Sequence, residues 1–498
     1  MKKLTIIFLS ICMVFQMGYA SGNKEEKQAP VQDTIKMSMA SDIDSFDPFL
    51  SVAYDTQAVN KNIFEGLMTF DENGNCIPSL SESYEVSEDG LMYTFHLRHG
   101  VTFHDGTPFT SKDVVYSINR YAGLDGNPAI LDTFAQVKAV QAIDDYTVAI
   151  TMKAAHFGFI YNMIQPIVKA GYDQNAELPI GTGPYKFVSY TAGQKVVLVR
   201  NDSYWGTKAN IKNVEIYFIN DAAATISAMQ SGQIDFGMVL PDLFAPLAKN
   251  YDLIASPMNM TDVLALNNDE TPFDNVKVRQ AIYYAIDRQE IMDGAFGSKA
   301  VPIYSPVSST MSGYVNTNLS HTYPLDREKA RTLLREAGYP NGFAMTITVP
   351  ANYVQHVDTA QILVSQLAQV GIDVTINSVE WGTWLEKVYS NRNYQSTIIG
   401  MTSLIDPVDI LQRYTTQSKK NFYNYSNTAF DAAIDEALAS QNNESVVKSL
   451  QKAQQIVNDD AGAVWLCDPE MTAAVNKKLG GYKFYYAGYF NFSAMYYK

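Results

Sequence analysis

The chain is poor in the residues that build metal and redox centres. Its 498 residues include three cysteines, six histidines and four tryptophans. So few thiols exclude a small disulfide scaffold. Charged residues make up only 18%, too few for a charge-driven disordered chain. Bases are outnumbered, with Lys+Arg 37 against Asp+Glu 52 and a formal net charge of −15. A polyanion-binding surface carries the opposite sign, so no nucleic-acid partner is expected. Collagen, coiled coil and polytopic membrane protein are excluded by composition. No period of 20–50 residues repeats, which excludes solenoids and propellers. What remains is 47% hydrophobic, with 29 Gly and 19 Pro, enough for about three globular domains of roughly 150 residues. Aromatics reach 12%, with 32 Tyr, an excess that suits a contact-rich surface as well as a core.

The N-terminus reads as an export signal. Met1-Lys2-Lys3 is positive, Leu4 to Phe15 is apolar, and Gly18-Tyr19-Ala20 places small residues around a cut after Ala20. A bilayer span takes about 20 apolar residues, and this run is shorter. Residues 1–20 are therefore expected to be a signal peptide, 21–33 a flexible leader, and the protein periplasmic. Leu9-Ser10-Ile11-Cys12 faintly resembles a lipoprotein box, but Ile11 is branched where a small residue belongs. Lipid anchoring at Cys12 is not expected. Cys76 and Cys467 are far apart in sequence and are expected to stay unpaired.

Local patterns are clear in several places. Tyr93, Phe95 and Leu97 alternate as one face of a strand. Thr110 with Asp113 marks a helix start, backed by Val114, Val115 and Ile118. Asp326 caps Arg327 to Ala337, Gly338 stops that helix, and Pro340 blocks continuation. Phe343 to Val349, Thr359 to Val370 and Ile372 to Ile376 read as strand, helix, strand, hence a right-handed crossover between parallel strands. Glu380 to Ser390 reads as helical and Ser396 to Met401 as a further strand. Ligands of open α/β sheets lie beyond the carboxyl ends of the strands. Trp381, Trp384 and Ser403 fall there; for the two tryptophans a core role is the alternative.

Familiar catalytic and metal constellations are missing. His96, His99 and His104 cluster on alternating strand and turn positions with no thiolate nearby, so no zinc site is expected. Asp71-x-Asn73-x-Asn75 with Glu82 mimics a calcium loop, but Cys76 stands where Gly is needed and Pro78 where an apolar strand residue belongs. Gly181-Thr-Gly183-Pro184-Tyr185 lacks the third glycine and the Gly-Lys-Ser/Thr ending of a phosphate cradle, and reads as a tight turn. No nucleophile elbow or His-Glu-x-x-His occurs. A glycosidase carboxylate pair stays open, because acids are abundant and none is singled out.

Taken in order, several segments resemble the bacterial extracellular solute-binding proteins of family 5, the oligopeptide, dipeptide and nickel type. They include Phe46-Asp47-Pro48, Ile63-Phe64-Glu65-Gly66-Leu67 and the run from Asp89 to Thr110 around Tyr93-Thr-Phe95-His-Leu97. Ile180 to Tyr185, Asn201-Asp-Ser-Tyr204-Trp205-Gly206, Ser231-Gly232-Gln-Ile-Asp235 and Pro272-Phe273-Asp274 follow. Val278-Arg279-Gln280-Ala281, Glu336-Ala337-Gly338-Tyr339-Pro340 and Asp406-Pro407 complete the series.

The resemblance implies an α/β, two-lobed periplasmic-binding-protein clamshell with mixed sheets and an extra third domain. Lobe I would take 34–69, 176–265 and 466–498, the extra domain 70–175, and lobe II 266–465. It further implies a monomer that carries no enzyme activity and no cofactor. A peptide or small-molecule ligand would be captured between the lobes by hinge closure and passed to ABC permease subunits. Oligosaccharide, another neutral solute or a nickel chelate is the alternative cargo.

Site residues carry over one at a time. Glu380-Trp381 resembles the Glu-Trp that places a pocket tryptophan in oligopeptide binders, with Trp384 one turn on. The aspartate that holds a peptide's α-amino group stands three residues before the Asp-Pro pair; here that position is Ser403. A neutral hydroxyl cannot match the charge-assisted bond, so either Asp406 or Asp409 replaces it or the ligand carries no such amine. Positions that are arginine in the oligopeptide type are Val388 and Thr397. Tyr54 and Met238 fall where the facing lobe supplies wall residues.

Overall fold

The alternating strand Thr34–Met39 seeds the main sheet, burying Ile35, Met37 and Met39. It pairs in parallel with Asn213–Phe218 on one side and with Phe236–Met238 on the other. The computed structural model describes residues 33–498 apart from 52, 73, 132, 403–405, 441 and 486–489, and no side chain at Tyr54. The expected signal 1–20 with Cys12, and the leader as far as residue 32, lie outside the described residues. The architecture is mixed α/β, with several sheets and three main hydrophobic cores.

The first core gathers residues from 35–64, 168–236 and 473–495. The second, spanning 67–167, sits under a four-stranded antiparallel sheet ordered Ser81–Val86, Met92–Leu97, Thr147–Met152, Val137–Asp144. Tyr93, Phe95 and Leu97 are all buried there, as their alternation predicts. The helix Ser111–Ala122 packs on this sheet, opened by a Thr110–Asp113 capping box. The third core, 263–467, contains the crossover unit. Phe343–Pro350 and Ile372–Val379 run parallel in register Phe343↔Ile372, joined by the helix Val354–Ala368. That helix starts five residues before the sequence pattern shows it, because Tyr353 provides no side-chain cap to announce it. The expected helix 380–390 is present but divided, α over Trp381–Trp384 and π over Leu385–Ser390.

One strand, Val464–Asn476, joins the first and third cores. Its early residues pair with Met260–Leu266 and Ala300–Pro302, and its later ones with Tyr251–Pro257 and Phe236–Met238. The exchange of partners falls at Pro469, which has no N–H to give a ladder. There the Pro469 carbonyl accepts from the Met258 N–H at 2.7 Å, where the chain turns between the two halves. Next to it, Asp468 Oδ2 accepts from Ser308 Oγ at 2.6 Å, Ser309 N at 2.9 Å and Ser309 Oγ at 2.6 Å. The crossings expected at 265 and 466 fall inside the packed third core, a few residues from this exchange.

The first and second cores are seamed by backbone. Ile167 N–H donates to Glu65 O at 2.8 Å and His104 N–H to Gly181 O at 2.9 Å, while on the first-core side Gly183 N–H donates to Ile63 O at 2.9 Å and Tyr185 N–H to Asn62 O at 3.0 Å. Glu65 itself is buried and accepts from Thr182 Oγ1 at 2.8 Å, Tyr204 OH at 2.7 Å and Trp205 Nε1 at 2.9 Å. The glycines are what permit this approach, since a Cβ on Gly181 would lie 2.0 Å from Ile63 O. Gly181→Ala is expected to force the seam apart and cost about 1–3 kcal/mol, the range for overpacking. A lowered thermal unfolding midpoint checks it; an unchanged midpoint would show that the seam has slack.

Candidate functional site

The carboxyl ends of the parallel strands Phe343–Pro350 and Ile372–Val379 lie side by side. The residues just beyond them, Tyr353 and Trp381, touch edge to face with ring centroids 5.5 Å apart and planes at 74°. Trp381 is 37% exposed, while Trp384, one turn later, is 2% exposed. The two indoles stack at 5.2 Å with planes 5° apart. Trp384 Nε1 donates to Thr397 Oγ1 at 2.9 Å, so the buried indole leaves no polar group unpaired. The tryptophan pair thus divides its labour. Trp381 presents aromatic surface to solvent, and Trp384 is core that fixes its plane from behind. Val388 is buried in the same core.

Behind Tyr353 lies a pairing that sequence reasoning missed. Its ring is 5.2 Å from His356, whose Nε2 lies 3.0 Å from Asp262 Oδ1, with both partners buried. Asp262 stands opposite Gly400 on the antiparallel ladder, and a Cβ at Gly400 would crowd Met260 Sδ at 2.5 Å. The partners come from separate strands and a helix, so no local spacing announces them. Tyr353 had a signal: an aromatic immediately past a strand end.

Of the remaining expected residues, only the side chain of Met238 is among the described residues. Met238 closes the strand Phe236–Met238 and is 39% exposed, followed by the exposed Leu240. Tyr54 opens the helix Tyr54–Asn60, and its side chain lies outside what is described. Ser403 also lies outside the described residues. Among the described residues, the ring contacts of Trp381 are with Tyr353 and Trp384.

Asp406, a candidate to replace the missing acid, is already engaged. It is 2% exposed; Oδ1 accepts from Val408 N at 2.8 Å as a helix cap, and Oδ2 lies 2.7 Å from His156 Nε2. Asp409 Oδ1 stands 3.9 Å from the same imidazole. Burial and the Asp406 charge push Asp409 up to about 6, against the pull of His156, Lys420 and Arg413.

The histidines considered for a metal have separate partners. His104 Nε2 donates to Gly183 O at 3.0 Å while Nδ1 accepts from Gly181 N at 3.3 Å, and burial lowers it to about 4. His99 packs on the Tyr146 ring at 3.9 Å, and His96 lies 3.9 Å from Glu85. In the calcium-like turn, Asp71 accepts from Asn75 N at 2.9 Å and Nδ2 at 2.8 Å, while Asn73 lies outside the described residues. Cys76 and Cys467 are both free thiols, as expected.

Comparison with known proteins agrees with this geometry. The profile of the bacterial extracellular solute-binding proteins, family 5 Middle, matches residues 75–422. The glutathione-binding protein GsiB of Pectobacterium atrosepticum is 30% identical over 470 residues, covering 90% of each chain. The structure of HbpA2 from Haemophilus parasuis superposes with a TM-score of 0.85 at 25% identity, covering 93% of this chain and 100% of that one. The periplasmic binding protein DppA of Helicobacter pylori, solved with the peptide STSA, gives a TM-score of 0.72 at 27% identity, covering 93% and 98%. Matching from the second core's first hairpin to the aromatic shelf and beyond, the chain belongs to the family 5 bacterial extracellular solute-binding proteins.

Proposed function

We propose that this receptor of an ABC importer captures a short peptide or peptide-sized solute against the face of Trp381, without a carboxylate clamp on the solute's amine. The observation that carries the reading is the exposed indole held rigid by Trp384 and Tyr353 at the strand ends. A rigid aromatic face binds rings and flat amide groups at little entropic cost. Relatives named for glutathione and a peptide support that size of cargo. Asp406 is spent on His156 and Val408, and Ser403 offers a hydroxyl that both gives and accepts hydrogen bonds. Ser403, Tyr54 and Met238 complete the proposed wall, and the lobes are those set out from the sequence. The protein acts as an exported monomer, cleaved near Ser21, and catalyses no reaction. A neutral solute such as an oligosaccharide is the second reading, favoured by the same missing carboxylate.

Two measurements test this. Trp381→Ala should weaken binding of the best ligand in a panel of short peptides, glutathione and oligosaccharides by about 1–3 kcal/mol, as an aromatic anchor does. Titration calorimetry reads it, and unchanged affinity would place the pocket elsewhere. In the same panel, acetylating a peptide's N-terminus should change affinity less than about threefold, well under the 1.4 kcal/mol of a tenfold change. Ser403→Asp should abolish binding by burying an unpaired charge. Acetylation-sensitive binding that the new aspartate improves would restore the amine clamp.

A further inference from the structure

The contact between the second and third cores differs in kind from the other two. The first core holds the second through backbone hydrogen bonds and the third through a shared strand. Between the second and third, no backbone hydrogen bond is found among the described residues. They meet through side chains. His156 meets Asp406 at 2.7 Å, the Tyr161 hydroxyl bonds that of Tyr314, and Phe157 packs against both cores. Such a contact separates without breaking a sheet.

The side facing Asp406 is shaped for that carboxylate. A Cβ on Gly158 would fall 1.6 Å from Asp406 Oδ2, so only glycine leaves the space. The Tyr93 hydroxyl donates to the His156 carbonyl at 2.7 Å and steadies the loop that carries the imidazole. On the opposite side, the cap to Val408 fixes the carboxylate at the head of the helix Pro407–Gln412. Both halves are prepared before they meet.

We propose that His156 is a positioning residue for solute capture: with Gly158 it receives Asp406 and latches the second core onto the helix Pro407–Gln412, holding the closed arrangement from the extra domain. The inference rests on the reading of the chain as a receptor that closes over its solute.

The latch has a pH course because His156 titrates within it. Burial alone would lower His156, but the hydrogen bond its Nε2–H gives to Asp406 and the charges of Asp406 and Asp409 outweigh it and raise it above its ordinary 6.5. The other groups around the pair are Tyr93, Tyr161 and Tyr314, all raised by burial and hence neutral, and Arg413 and Lys420 beside Asp409. A raised imidazole stabilises the contact fully below its ordinary value and loses that contribution as pH rises through the raised one. Asp409 is charged above about 6. Once His156 is neutral, the buried Asp406 and the partly buried Asp409 lose the positive charge between them, and the latch loosens.

Small-angle X-ray scattering of the full chain, unfolded and refolded to strip bound solute, tests this without any ligand. From about pH 6 to about pH 9 the wild type is expected to open, raising a radius of gyration near ~23 Å by the order of 1 Å. His156→Gln, a neutral partner at every pH, should show no such change. Gly158→Ala should be expanded at both. If that variant fails to fold, Asp409→Asn serves instead, moving the wild-type midpoint down because one charge raising His156 is gone. A pH-independent wild type, a His156→Gln curve that follows the wild type, or an unmoved Asp409→Asn midpoint would overturn the latch. Failure of peptide binding would leave this result standing, and the converse also holds.

Discussion

Thirteen residues, Val464–Asn476, belong to two halves of the molecule at once, and this double membership constrains everything else. A strand admits one register with each neighbour, because a one-residue slip would turn its buried face outward. Val464, Trp465, Leu466 and Cys467 lie in the third core, while Ala473 and Val475 lie in the first. The strand's partners change at Pro469, which has no N–H to donate. Asp468, held by Ser308 and Ser309, anchors the third-core side of that exchange.

Around that strand the three core-to-core contacts form a graded series. The seam between the first and second cores is backbone on backbone, closed over glycines that a methyl group would pry open. The shared strand is continuous but bendable. The contact between the second and third cores is side chain on side chain, polar at His156–Asp406 and aromatic at Phe157 and Tyr161. In the closure proposed above, the backbone seam would stay, the shared strand would flex and the side-chain contact would part.

The aromatic shelf follows the same economy. Trp384 is sealed in the core and hydrogen-bonded to Thr397, so the plane of Trp381 is set by packing before any solute arrives. Burial of one indole fixes the other, and in the proposed site that preorganisation would raise affinity by removing ordering costs. The π turn Leu385–Ser390 that follows is a local departure from the α-helix of the kind often found beside functional sites.

Much of this was legible in the sequence because it rests on local rules. The capping box at Thr110 and Asp113, the cap at Asp326, the alternation of Tyr93, Phe95 and Leu97, and the parallel crossover through Ile372 depend on neighbours a few residues away. The ordered family motifs, and the place of Trp381 beyond a strand end, were legible for the same reason. Local spacing did not show which tryptophan is core, because Trp381 and Trp384 share a helical turn and differ only in what packs above them. Nor did it show that Asp406 is already paired. His156 lies 250 positions away in the chain, and electrostatic partners at that separation meet only when the tertiary fold delivers them. The change of partners at Pro469 is of the same origin: the strands on either side of it are chosen by the whole sheet.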